Sequence, residues 1–320
     1  MAAIVGSGSL LGREIRDLLA ELTVRTRLIG ADPTEAVLTE DAGEPVVLTQ
    51  LDEENLGDAR VAFLAGSPES SRGALDIIGR LQHRPVVVDL TYTLDDRPGA
   101  FLRAPAVEPA NYAVAGAAQH VIAHPAAIIL GLFFSRLQQA APVTRAVADI
   151  FEPASERGIS GVTELQQQSV NLLSFQPPPK KTYDEQVAFN LLARWGEEAP
   201  GKLEDVESSI ERHLATLLAL TGVPVMPSLR LIQAPVFSGY SMSVWAEFEK
   251  NPGVGAIEAA IASAQVDVRG ADLEPPNVVG MAGMSGISIG AITPDRNNPR
   301  ACWFWIAADN IRVMAENAVA

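Results

Sequence analysis

Cysteine is almost absent from this 320-residue chain. Cys302 stands alone, so no internal disulfide forms, and one cysteine with four histidines cannot build a cysteine-rich zinc site. That composition fits a reducing compartment, and a cytoplasmic location is expected. Positive charge is scarce too. The 24 Lys and Arg against 39 Asp and Glu give a formal net charge of −15, which argues against nucleic acid and anionic membrane surfaces as partners. Long apolar runs are missing: the stretch from Ala123 to Phe134 contains His124 and Pro125 and falls well short of the ~20 residues of a membrane span. The first residues, Met1-Ala2-Ala3-Ile4-Val5, carry no basic residue ahead of their apolar run, as a secretory signal would.

What remains is a folded chain of about two domains, with 48% hydrophobic and 20% charged residues. A short apolar run over residues 2–5 leads into Gly6-Ser7-Gly8-Ser9 and then a helical pattern with apolar residues at 11, 15, 18 and 19. β-rich runs follow at Arg27–Gly30, Ala59–Gly66 and Pro85–Leu90, separated by helical stretches such as Ser70–Leu81. Strands alternating with helices predict a parallel α/β sheet of Rossmann type over residues 1–122. Beyond Pro125 the pattern becomes α+β. Strands are expected at Thr144–Ile150, Val236–Glu249, Val278–Gly280, Gly286–Ile292 and Cys302–Ala307, and helices at Gly161–Leu173, 203–220, Gly253–Ala264 and Asn310–Val319. This second domain is expected over 123–305, with a closing helix in 306–320 returning to the first.

Gly6, Gly8 and Gly12 between a strand and a helix offer bare backbone N–H groups and a positive helix end, which a dinucleotide pyrophosphate needs. The spacing is GxGxxxG, and the same glycines also suit a strand-to-helix turn with no ligand. Asp32, about 20 residues on, stands where a ribose-binding acid is expected, or it starts a turn with Pro33. A nucleophile is harder to find. Cys302 lies in the apolar run Ala301–Ile306 and reads as a buried strand residue. Lys180, Lys181, Lys202 and Lys250 lie in polar contexts, and His83 and His213 are expected to be solvated. His120 and His124 are the histidines placed near the domain junction.

Read together, these residues resemble the aspartate-semialdehyde dehydrogenase family, whose members pair an N-terminal NADP-binding Rossmann domain with a C-terminal dimerisation domain. Gly6-Ser7-Gly8-Ser9-Leu10-Leu11-Gly12 is similar to the family's GATGxVG loop, with Ser9 in place of the middle glycine. Val87–Thr91 resembles VIDLS, Val107–Asn111 resembles VPEVN, and Ile122–Ala127 resembles IANPNC. Arg157–Gly161 with Glu164–Gln168 resembles the Ser/Gly-rich turn and ELxxQ helix. Ala188–Asn190, Pro235–Ser241, and Asp309-Asn310 with Glu316–Val319 resemble the FN, PVxxGHS and DNLxxGAAxNAV signatures. The resemblance implies a homodimer and NADP or NAD at residues 6–12 and Asn310.

The resemblance also shows where the family's chemistry is missing. The thiolate position falls at Ala127, the proton-handling histidine at Tyr240, and the substrate-clamping arginine at Gln233. The phosphate-binding arginine falls near Asp95 and the lysine of the next helix near Glu207, beside Glu204 and Glu211, so an acyl phosphate meets reversed charge. Three readings follow. The chain is a noncatalytic member with a regulatory or interaction role and an unidentified protein partner, an oxidoreductase in which Tyr240 donates a proton during direct hydride transfer, or a conventional semialdehyde dehydrogenase. The last requires a thiol the sequence lacks.

Overall fold

The computed structural model describes residues 1–31, 38–41, 44–110, 112, 114, 116 and 118–320, with the backbone alone for 38–41 and 44–47. Asp32 and Asn111 lie outside them. The chain divides into two compact units, one of residues 1–105, 110–123 and 314–320 and one of 106–109 and 124–313.

The first unit contains β1 (Ala2–Val5), α1 (Leu10–Glu21), β2 (Thr26–Ile29), β3 (Leu38–Asp41), β4 (Glu44–Val47), α2 (Glu53–Gly57), β5 (Val61–Leu64), α3 (Pro68–Arg80), β6 (Val86–Asp89), β7 (Phe101–Arg103) and β8 (Gln119–Ile122). Six strands form a sheet in the order β2-β1-β5-β6-β8-β7, all pairs parallel, while β3 and β4 make a separate hairpin. The parallel α/β reading holds. Its strands are short apolar runs because helices cover a parallel sheet on its faces. Ala3, Val5, Ala62, Leu64, Val87 and Val121 form the core, with Ala74 and Ile78 of α3 against them. A capping box between Ser67 and Ser70, with Pro68 as the first helical residue, starts α3 just after β5.

The second unit contains α4 (Pro125–Ala140), β9 (Val143–Glu152), a single 3-10 turn (Ala154–Arg157), α5 (Gly158–Leu173), α6 (Leu203–Thr221), β10 (Ser228–Gln233), β11 (Tyr240–Phe248), α7 (Val254–Ile261), β12 (Val266–Arg269), α8 (Val278–Met281), β13 (Ile287–Pro294), β14 (Ala301–Ala308) and the start of α9 (Asn310–Val319), whose last turns belong to the first unit. Its mixed sheet runs β10-β9-β11-β14-β13-β12, antiparallel in the middle and parallel at both edges. The apolar run after His124 is the core helix α4, buried continuously from Pro125 to Phe134. A helix apolar on every side needs protein on every side. Phe133 packs edge-on against both Phe134 and Phe304, each at 5.0 Å between centroids. Among the described residues no helix is long and apolar enough to cross a membrane.

The expected strand at Val278–Gly280 is instead the short helix α8. Asn277 caps it by accepting from the Gly280 N–H, a local turn that outcompetes the extended preference of two valines. The outer face of the sheet carries a cross-strand row, Val147 opposite Trp245 opposite Trp303, with Trp305 and Phe151 6.1 Å apart beside it. Val147 and Trp303 are each 41% exposed.

Close backbone approach fixes Gly12. A Cβ there would stand 2.3 Å from the Gly6 carbonyl oxygen, whereas one on Gly79, in the exposed part of α3, meets nothing within 4 Å. Gly12→Ala is therefore expected to lose about 1–3 kcal/mol in urea unfolding. Gly79→Ala gains about 0.5–1 kcal/mol from helix propensity in the same measurement.

Candidate functional site

The glycine loop of the first unit is built by backbone. Gly6 takes φ +78°, and a Cβ on it would lie 2.3 Å from the Gly66 Cα, so only glycine lets β1 and β5 converge here. The Gly6 and Ser7 N–H groups both donate to the Ile29 carbonyl, and the buried Ser7 hydroxyl donates to the same oxygen at 3.1 Å. Ser9 caps α1. Its Oγ accepts from the Gly12 N–H at 2.9 Å and donates to the Ala65 carbonyl at 2.7 Å. Ser9 thus ties the loop to the residue that follows β5. Gly8, Ser9, Leu10 and Leu11 remain half-exposed at the helix start, where the first N–H groups have no intrahelical acceptor and the dipole is positive. These bare amides and small residues fit a pyrophosphate. Beyond β6, Asp89 is buried with its carboxyl pushed up by that burial, and it accepts from the Thr91 and Leu94 N–H groups. Asp95 follows, half-exposed.

In the second unit the positions singled out above gather around a buried charged cluster. Ala127, fully buried, is the third residue of α4. His124 caps that helix: its Nδ1 accepts from the Ala126 N–H at 3.3 Å, and its own backbone N–H donates to Nδ1 of His213 at 2.9 Å. His213 is therefore buried, not solvated. It falls three residues after Ile210 and four before Leu217, on the stripe of α6 that faces inward. Burial, with His213 and Arg157 nearby, holds His124 well below the ordinary histidine value, so it is neutral and turns Nε2 toward Glu156 at 3.7 Å.

Tyr240, fully buried at the start of β11, has its ring 6.3 Å from that of His124 and its hydroxyl against Glu156. Gln233, also fully buried, spends its carboxamide internally. Its Oε1 accepts from the Trp195 indole N–H at 3.2 Å, and Nε2 donates to the Glu152 and Ala234 carbonyls at 3.0 and 3.3 Å. Asn310 accepts at Oδ1 from the Gly239 N–H and the Ser155 and Ser238 hydroxyls, while its Nδ2 donates to Glu156 at 2.6 Å. Its carboxamide, assigned by resemblance to the cofactor, is thus turned into this network. Glu207 ties α6 to β10 by accepting from the Leu231 N–H at 2.5 Å, while Glu204 and Glu211 are exposed. Cys302 is buried, with its thiol pushed up by that burial.

Three charged residues at the centre were not singled out as site residues from sequence. Glu152 is completely buried at the end of β9, and Glu156 and Arg157 follow in the turn into α5. The alternation of β9 carried a signal for Glu152, which shares the inward parity of Ala146, Ala148 and Ile150. Burial raises the Glu152 carboxyl to about 8 against the pull of Arg157, and it raises Glu156 against its bond from Asn310. Burial disfavours the Arg157 charge, but Glu152 and Glu156 outweigh it and raise the guanidinium further. Tyr183 nearby is raised by burial. Among the described residues no group of His, Cys, Asp and Glu is placed to hold a metal ion.

A parallel Rossmann-type unit followed by a mixed-sheet unit with a polar centre defines a dehydrogenase-like fold. The profile of the semialdehyde dehydrogenase dimerisation domain matches residues 135–313, more than half of the chain, and the chain belongs to that family. An aspartate-semialdehyde dehydrogenase of Prochlorococcus marinus is 23% identical over 97% of this chain and 91% of its own. A USG-1 protein homolog of Pseudomonas aeruginosa is 33% identical over 49% of this chain and 47% of its own. The solved structure of a probable aspartate-semialdehyde dehydrogenase from Pseudomonas aeruginosa superposes with TM-score 0.84 at 26% identity, covering 99% of this chain and 96% of its own. At 12% identity, an aspartate semialdehyde dehydrogenase with NADP from Candida albicans shares the fold with TM-score 0.68, covering 99% of this chain and 96% of its own.

The Glu152 proton makes stability pH-dependent. The folded chain keeps it up to about pH 8, whereas the unfolded chain releases it near 4.5. Between those values the folded state binds the extra proton, so stability falls as pH rises through the window. Glu152→Gln does not titrate. Relative to the parent it is expected to gain on the order of a few kcal/mol in urea unfolding between about pH 5 and pH 8, and to level off above. A difference that does not change with pH contradicts this assignment.

Proposed function

We propose that the chain is a noncatalytic member of the semialdehyde dehydrogenase family that keeps the dinucleotide loop and the dimer framework but not the thiol mechanism. One observation carries the reading: the helix start to which the family resemblance assigns the nucleophile holds a fully buried methyl group, Ala127. No thiohemiacetal forms on an alanine, and no thioester follows. The surroundings support this. Tyr240 is a phenol whose ordinary pKa of ~10 makes it a poor base, and Gln233 has turned its carboxamide to Trp195 and the backbone.

Gly8, Leu10 and Leu11 would hold the pyrophosphate of NAD or NADP through their backbone N–H groups at the start of α1, while Gly6, Ser7, Ser9 and Gly12, whose N–H groups are bonded within the protein, shape the loop. When bound, such a cofactor supplies hydride chemistry. In a second reading, Tyr240 donates a proton to a carbonyl during direct hydride transfer, and its hydroxyl contact with buried Glu156 favours that reading over a conventional thiol enzyme.

The decisive assay measures phosphate-dependent NADP reduction with aspartate semialdehyde beside a calorimetric NAD and NADP titration. Cofactor binding with no turnover is expected. Ala127→Cys alone is expected to restore none, because a thiol with pKa ~8.5 is only slightly ionised at neutral pH, Tyr240 stands where the resemblance puts the activating imidazole, and His124 spends Nδ1 on the Ala126 N–H. Robust activity of the single variant would show the proposed loss to be misplaced.

The same reading includes a homodimer through the outer face of the second unit's sheet. Light scattering at micromolar concentration is expected to give twice the chain mass, and Val147→Asp, which puts a charge in the Val147–Trp245–Trp303 row, is expected to give the monomer. A monomeric parent protein would refute it.

A further inference from the structure

Strand order assigns a side to each end of a dinucleotide. β1 lies between β2 and β5, so the chain leaves β1 toward one neighbour while the other waits on its far side, and the crevice at the carboxyl ends of β1 and β5 opens over the glycine loop. In such a sheet the adenosine ribose lies beyond the end of the second strand, here β2. Three side chains stand there. Ala31, exposed two residues after β2, has its Cβ 3.4 Å from where a Cβ on Gly66 would be. Leu48 brings Cδ1 to 3.6 Å from the corresponding point on Gly8. Thr49 pairs with Ile29, and its hydroxyl spends its proton on the Leu28 carbonyl at 2.8 Å. None of the three is charged. Cations are missing from the whole stretch: residues 28–51 hold no Lys, Arg or His but five Asp and Glu. Arg25 precedes β2, at its opposite end. Arg27 is committed elsewhere, donating from Nη1 to the Glu54 and Asn55 carbonyls at 3.2 and 2.9 Å, with Nη2 3.8 Å from Asp58. Arg13 lies one turn into α1, the helix whose start serves the pyrophosphate that NAD and NADP share.

We propose that the first unit selects NAD and rejects NADP, with Ala31, Leu48 and Thr49 as the residues that set the choice. This rests on the reading that the glycine loop holds a dinucleotide. NADP differs from NAD by a phosphate on the adenosine ribose, which carries about −1.5 to −2 charges at neutral pH. Beside Ala31, Leu48 and Thr49 that phosphate meets neither a counter-charge nor the forked donors of an arginine. The chain's net charge of −15 adds repulsion. NAD brings only hydroxyls to the same place, and these need no cation. The chain thus departs from the NADP use that the family resemblance implies, and it does so at the ribose, while the loop that faces the pyrophosphate is kept.

The test titrates the whole protein with NAD and with NADP by calorimetry at an ionic strength of about 0.05 M, where screening is weak. Saturable NAD binding is expected, with NADP at least about tenfold weaker. The same titrations follow on Ala31→Arg, with its fold checked by circular dichroism. An arginine there places a fork on the ribose side, and the NADP affinity relative to that of NAD is expected to rise at least about threefold. NADP binding as tight as NAD by the parent overturns the selectivity and leaves the dinucleotide reading standing. An unchanged ratio in the folded Ala31→Arg protein overturns the assignment of the ribose side. If neither nucleotide binds, the dinucleotide reading itself fails and the selectivity falls with it.

Discussion

A cluster of buried ionisable groups organises the second unit. Glu152, Glu156, Arg157 and His124 meet where the end of β9, the start of α4, the start of β11 and the start of α9 converge. Each group is expensive to bury alone; Glu156 and His124 are met by donors and acceptors of other elements, and Glu152 keeps its proton beside Arg157. Asn310 serves three donors and one carboxylate at once, so it fixes α9 to the Gly239 turn and to the 3-10 turn together. His124 gives up its charge so that its ring nitrogen can cap α4. Glu152 makes the same concession by holding its proton.

The first unit solves a different problem with different means. Its loop is shaped by glycines that allow backbone to approach backbone and by two serine hydroxyls that satisfy carbonyls of neighbouring strands. Apart from those two hydroxyls, little in it depends on side-chain identity beyond small size. A site of that kind tolerates drift elsewhere in the chain. The second unit's centre is made of side chains, so a change at one position is absorbed by its neighbours. Gln233 illustrates this. Its amide is saturated by Trp195 and two backbone carbonyls, and the indole it holds carries Arg157 on its face.

Periodicity made most of the architecture legible, because strand alternation and helical spacing are local. The parallel first sheet, the strand β11 and the closing helix could all be read this way, whereas the core helix after His124 was not, because a helix apolar on every side shows no amphipathic period. Where a local cap competed with propensity the reading failed, as at Val278–Met281, which Asn277 turns into a helix. The glycine loop and the alanine at 127 were also visible, since a spacing and a residue's identity are properties of the chain itself.

By itself the sequence determined which residues are present to do chemistry. Tertiary structure alone decided how the remaining charges are partnered. His213 looked solvated on a polar segment, but packing against α4 made it the acceptor for the His124 backbone N–H. Arg157 and Glu152 are five residues apart in sequence, yet their state depends on Trp195, Gln233, Asn310 and Tyr240 from four other segments. Burial and Coulomb energy depend on distances in space, which no local pattern of residues encodes.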